Sequence, residues 1–162
     1  MTRSGISSTR NLSIDIGSGY NPAPGYRTAD ITRAPFLDYV IKGNRIYSGE
    51  GEIADGTVAC FRMRNVAHHV RDLDGLLGNL LRYLRPGGTL EIIDCDAGHY
   101  AANRCLDNLW YRYVIPRKEI YIAGQYRDYA KIAKKLGFRL KKKFSESENE
   151  TTILEKDTQK HG

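Results

Sequence analysis

At 162 residues the chain has the length of one ordinary domain, enough to enclose a hydrophobic core without disulfide staples. Apolar residues at 41% and charged residues at 27% exclude a low-complexity or disordered chain, and the net charge of +6 is compatible with an anionic partner without demanding one. Cys60, Cys95 and Cys105 form no C-x-x-C pair, which argues against a disulfide framework or zinc ribbon and points to a reducing, cytoplasmic setting.

In chain order, residues 1–10 read as a flexible leader with no apolar core of a secretory signal. Asn11 to Ile16 alternates polar and apolar residues and then meets Gly17-Ser18-Gly19, a strand ending in a glycine turn. Pro22 and Pro24 oppose an immediate helix, so Arg27 to Ile31 reads as a second short strand. Either Tyr39-Val40-Ile41 or Arg45-Ile46-Tyr47 supplies a third strand, and the pattern does not choose between them.

Thr57 to Met63 reads as a buried strand. Asp72 or Asp74 caps the next helix, whose leucines at 73, 76, 77, 80, 81 and 84 recur at helical spacing and which Pro86-Gly87-Gly88 stops. Thr89 to Asp94 is another strand, residues 103–115 suit a helix that Pro116 breaks, and Tyr126, Tyr129, Ala130, Ala133 and Leu136 mark a further helix capped by Gly137. Phe138 to Phe144 and Thr151 to Glu155 form a closing antiparallel hairpin, and residues 156–162 read as a loose tail. Alternating strands and helices over residues 11–155 predict a single α/β domain with a mostly parallel sheet. No apolar run approaches the roughly 20 residues that cross a bilayer.

The glycine turn stands where open α/β sheets bind ligands, at a strand's carboxyl end. A dinucleotide fingerprint would put its third glycine at Pro22, so NAD is disfavoured. Asp94, Cys95, Asp96 and His99 match no metal-ligand spacing, and no metal is expected. From Lys131 to Lys143 there are seven Lys or Arg and no Asp or Glu, a basic face that is usually a solvated surface.

Three segments read together carry a resemblance. Asp15-Ile16-Gly17-Ser18-Gly19, Asn65-Val66-Ala67-His68-His69-Val70 and Leu84-Arg85-Pro86-Gly87-Gly88-Thr89-Leu90 resemble, in the same order, three motifs of class I, Rossmann-like S-adenosylmethionine-dependent methyltransferases of the type 11-like kind. Leu136-Gly137-Phe138 resembles their entry to strand six.

The resemblance implies a doubly wound sheet in the order 3-2-1-4-5-7-6 with strand seven antiparallel, and S-adenosylmethionine across the strand tips. It implies that Asp15, Gly17 and Gly19 hold the cofactor's amino acid portion. Asp30 would take the ribose hydroxyls, Glu50 or Glu52 would lie near the adenine, and Asn65 would sit beside the methionine portion. His68 and His69 follow the fourth strand and are the base candidates. Asp94, Tyr100, Tyr111 and Tyr126 fall where relatives build the acceptor pocket, and residues 107–117 faintly resemble quinone-biosynthesis methyltransferases.

The chain departs from the pattern at Asn21, where many members have a third glycine, and in the short link from Gly19 to Arg27. The expected activity is methyl transfer to a small organic acceptor. An RNA or protein acceptor on the basic face, or a non-catalytic module that works by contacting another protein, are the alternatives; a second copy or a partner subunit is the expected source of a lid over the cofactor.

Overall fold

The computed structural model describes residues 12–19, 22–31, 35–96, 126–147 and 149–158. Strands β1 (Leu12–Ile16), β2 (Arg27–Asp30) and β3 (Tyr39–Lys42) pair in parallel, β1 between β2 and β6 (Val58–Arg64). β6 also pairs in parallel with β7 (Leu84–Cys95). The closing hairpin of β8 (Phe138–Glu146) and β9 (Asn149–Lys156) lays β9 antiparallel beside β7. The expected order 3-2-1-4-5-7-6 is therefore present as β3-β2-β1-β6-β7-β9-β8.

Both candidates for the third strand are strands. Tyr39–Lys42 pairs with β2, and β4 (Arg45–Ser48) folds back on it through Gly43-Asn44, where both residues have positive φ. The two-residue β5 (Gly51–Glu52) adds to β4, so the sheet is extended on the β3 side by an antiparallel pair. Glu52 fastens this extension to the first helix through Arg82 and the Tyr83 hydroxyl.

That helix, α1 (Leu73–Tyr83), starts at Asp72, whose carboxylate accepts from Gly75 N at 3.0 Å. It buries Leu73, Leu76, Leu77, Leu80 and Tyr83. These join Ile14, Ile16, Phe61, Met63, Leu90 and Ile92 in one core, the strand residues alternating toward the helical face as the period of two requires.

α1 ends at Tyr83, before the Pro-Gly-Gly segment expected to stop it. Lys156 Nζ instead caps its end, donating to Leu84 O at 2.6 Å. Pro86-Gly87-Gly88 lies inside β7 as an irregularity, between the Val58–Leu84 and Cys60–Thr89 pairs, with Gly87 at φ +70°.

The second helix, α2 (Tyr129–Leu136), packs beside α1 and ends at Gly137 in the left-handed region. It begins at Tyr129 rather than Tyr126 because Asp128 caps it, accepting from Lys131 N at 3.1 Å. The helix expected over residues 103–115 lies outside the described residues.

The opposite sheet face is polar at its centre. Asp15, Arg62 and Glu91 are register neighbours on β1, β6 and β7, and Arg62 bridges the two carboxylates at 3.6 and 3.2 Å. Among the described residues β8 is the outermost strand on that side, with Arg139, Lys141, Lys142 and Lys143 exposed.

Candidate active site

Two loops at the carboxyl ends of β1 and β6 build the site. After β1 the chain turns at Gly17-Ser18-Gly19, with φ of +69° at Gly17 and +53° at Gly19. Gly17 N donates to Ala29 O at 2.7 Å, tying this turn to β2. A Cβ at Gly17 would sit 2.5 Å from Val66 Cγ2, so only glycine lets the two loops touch. At Gly19 an added Cβ would meet nothing within 4 Å, which leaves that side of the turn open.

Asp30, at the end of β2, faces the same turn, and its Oδ2 accepts from Gly19 N at 3.3 Å. Ser18 Oγ is buried with no hydrogen-bond partner among the described residues. An open glycine, an unpartnered buried hydroxyl and a carboxylate at one turn suit a ligand rich in hydroxyl and amino groups.

Asp15, just before the turn, is engaged by the chain itself. It is 3% exposed, and its Oδ2 accepts from Ala23 N at 2.8 Å and faces Arg62. The carboxylate thus folds the short link between β1 and β2 back onto the sheet. Glu50 is exposed in the β4–β5 turn, with β3 and β2 standing between that hairpin and β1. Asn65 follows β6 at φ +53°, and its N–H donates to Ile93 O at 2.9 Å, holding the ends of β6 and β7 together.

The segment after Asn65 makes a single 3-10 turn, Ala67–His69. It brings His68 to Asp94 near the end of β7. His68 Nδ1 lies 2.6 Å from Asp94 Oδ1, and His68 N donates to Asp94 Oδ2 at 3.1 Å. The His69 ring stacks obliquely on that of His68, with centroids 3.9 Å apart.

Asp94 is 1% exposed and takes two further donors, Cys95 N and the Tyr129 hydroxyl, each at 2.9 Å. Burial alone would raise its pKa. The hydrogen bond and charge of His68, helped by Tyr129 and Cys95 N, outweigh that and hold the carboxyl below its ordinary value. An ionised Asp94 accepts only, so the His68 nitrogen facing it carries the proton. In neutral His68 the other ring nitrogen then bears the lone pair.

Tyr126 lies beside this pair without joining it. Its hydroxyl donates to Glu150 Oε1 at 2.7 Å, and burial followed by that bond pushes its pKa up to about 12. Glu150 is the β9 partner of Asp94 and also meets Lys143 Nζ at 3.1 Å. Tyr100 and Tyr111 lie outside the described residues. Tyr129 was not among the expected site residues. Its place directly after the capping Asp128 is the sequence signal that locates it. Among the described residues no three His, Cys, Asp or Glu side chains are grouped to hold a metal ion, and no helix is long and apolar enough to cross a membrane.

A family model described as a methyltransferase domain matches residues 15–143. No curated protein matches the sequence. Among solved structures, an S-adenosylmethionine-dependent methyltransferase from Mesorhizobium loti superposes with a TM-score of 0.64 at 10% identity, covering 90% of each chain. One from Methanosarcina mazei gives 0.62 at 11% identity, covering 93% of this chain and 94% of its own. A chain from the complex of the Haloferax volcanii Trm112 methyltransferase activator with a methyltransferase gives 0.61 at 12% identity, covering 91% and 83%. At these identities the likeness is one of fold.

Proposed function

The chain belongs to the methyltransferase domain family, whose model spans residues 15–143, and from that premise we propose that it transfers a methyl group from S-adenosylmethionine to a small organic acceptor. The observation that carries this reading is that the glycine turn and the His68–Asp94 pair converge on the tips of adjacent strands, joined through the Gly17–Val66 contact.

S-adenosylmethionine, when bound, supplies an electrophilic methyl on a sulfonium centre. Gly17, Ser18 and Gly19 would hold its amino acid portion through the open side of the turn, and Asp30 would accept from its ribose hydroxyls. Asn65 would border the methionine portion. His68 would accept the acceptor's proton on the ring nitrogen that faces away from Asp94 as the new bond to the methyl forms. Asp94 holds the imidazole in one tautomer and balances the charge it gains, the role that a buried aspartate plays in a hydrolase triad. His69 would then act as a packing partner of His68 rather than as a second base.

A small acceptor is favoured over RNA by the position of the basic residues. They lie on α2 and β8, and β8 is separated from β1 by β6, β7 and β9. Several are already matched: Arg139 and Lys141 by Glu155, and Lys143 by Glu150 and Asp128. Among the described residues Cys60 and Cys95 form no disulfide, in keeping with a reducing cytoplasmic setting. Calorimetric titration with S-adenosylmethionine tests the reading. Binding on the order of −8 kcal/mol, or micromolar, supports it. Absence of binding by the isolated chain supports the second reading, a module completed by a partner, which the fold neighbour solved with the Trm112 activator favours.

A further inference from the structure

The four donors around Asp94 divide unevenly in origin. Three come from the chain beside it or from the His68 turn: Cys95 N, His68 N and the His68 ring. The fourth, Tyr129, comes from a separate helix and reaches Oδ2 at 2.9 Å from a side chain that is only 3% exposed. Among the described residues no Lys or Arg forms an ion pair with Asp94. Its charge is therefore spread over neutral donors and the His68 ring, each oxygen receiving two.

In so dry a setting each donor changes how much negative charge the others feel. Tyrosine is not needed there for packing alone, since phenylalanine fills the same volume. The hydroxyl is held protonated, because burial and the adjacent carboxylate both raise its pKa far above neutral.

We propose that Tyr129 is the positioning residue of the His68 base: by sharing Asp94 it limits the negative charge presented to the imidazole, and so sets the proton affinity of His68 from the first residue of α2. This rests on the reading of His68 as the base. It makes the register of α2 a determinant of the site. If α2 shifted by one residue, Ala130 would stand at this position and Asp94 would lose a donor. Among the described residues, the other titratable groups around the pair are His69 on the same turn, Cys95 on β7, Glu150 opposite Asp94 on β9, and Arg127 just before α2.

The test is a histidine ring titration by NMR on the full chain, without cofactor or acceptor. The chain has four histidines, and the His68 signal is identified by its loss in His68→Gln. Tyr129→Phe should raise the His68 midpoint by about one pH unit, a roughly tenfold gain in proton affinity. Tyr126→Phe, which removes the hydroxyl bound to Glu150, should leave it in place. An unmoved midpoint in folded Tyr129→Phe overturns the proposal.

A second measurement needs no variant of Tyr129. In the unaltered protein the ring carbon of Tyr129 that bears the hydroxyl should shift with the same midpoint as His68, and a flat profile also overturns the proposal. Because neither measurement involves methyl transfer, the outcomes separate. A coupled titration with a normal methylation rate in His68→Gln would leave the relay standing and remove the base assignment.

Discussion

His68 and Asp94 stand 26 residues apart in sequence, yet Nδ1 of one lies 2.6 Å from Oδ1 of the other, and the backbone N–H of the same histidine holds the second carboxylate oxygen. The aspartate therefore fixes both the ring and the turn that carries it. Because β6 and β7 are parallel neighbours, their tips are adjacent, and a residue leaving one meets a residue ending the other.

Substitution separates the two histidines. His68→Gln should lower the rate of S-adenosylhomocysteine release with phenolic acceptors by about a hundredfold or more, the usual scale of a lost general base. His69→Gln should change it by only a few fold. Equal losses in both, measured at saturating cofactor, would contradict the assignment of the base to His68.

Asp30→Ala should weaken S-adenosylmethionine binding by about tenfold to a hundredfold, since hydrogen bonds to a charged group contribute roughly 1.5–3 kcal/mol. Calorimetry gives the value directly. Glu50→Ala, in the exposed β4–β5 turn, should leave binding unchanged, and a comparable loss there would put the adenine beside that turn, as the resemblance implies.

Gly17→Ala should destabilise the protein by roughly 2–4 kcal/mol, combining the cost of a side chain at positive φ with overpacking against Val66. Thermal unfolding measures it. Val66→Ala in the same chain should recover the packing part and leave the backbone part. A double variant no more stable than Gly17→Ala would show that the contact is not the cause.

Stability should carry an acid limb from Asp94. Its carboxyl is held below its ordinary pKa of 3.8, so the contribution is fully present above that value and is lost as pH falls through the lower, folded-state value. Acid unfolding followed by circular dichroism should show this limb below about pH 4. It should be reduced in Asp94→Asn, and an unaltered acid slope in that variant would locate the sensitive group elsewhere.

β1 and β6 were legible in sequence because each is a short run of β-forming residues followed by a turn residue, Gly17 after β1 and Asn65 after β6. Asp72, offered with Asp74 as the cap of α1, is a local signal of the same kind. What the pattern could not resolve depends on contacts between distant segments. Tyr39–Lys42 and Arg45–Ser48 are equally strand-like, and only the antiparallel pairing through Gly43-Asn44 shows that both are used. Pro86-Gly87-Gly88 reads as a stop, but pairing with β6 carries it as an irregularity inside β7. At the site, the motifs singled out Asp15 and His68, and the end of a strand singled out Asp94, but the pattern could not say what each touches. The Asp15 carboxylate meets Ala23 N and Arg62, and the His68 ring meets Asp94, because of where neighbouring strands place them. Tyr129 reaches Asp94 from 35 residues away, a distance no periodicity spans.

The basic edge strand β8 bears on how copies of the protein meet. An outermost strand offers a row of unpaired backbone groups to any similar strand that approaches. Here the approaching copy would bring its own Arg139, Lys141, Lys142 and Lys143 against the same four residues. Glu155, Glu150 and Asp128 balance three of the four, so the residual repulsion between the two rows centres on Lys142; it opposes strand-by-strand growth and weakens as salt rises and shortens the range of the charges. On this edge any barrier to pairing between copies should therefore be electrostatic, and greatest at low salt.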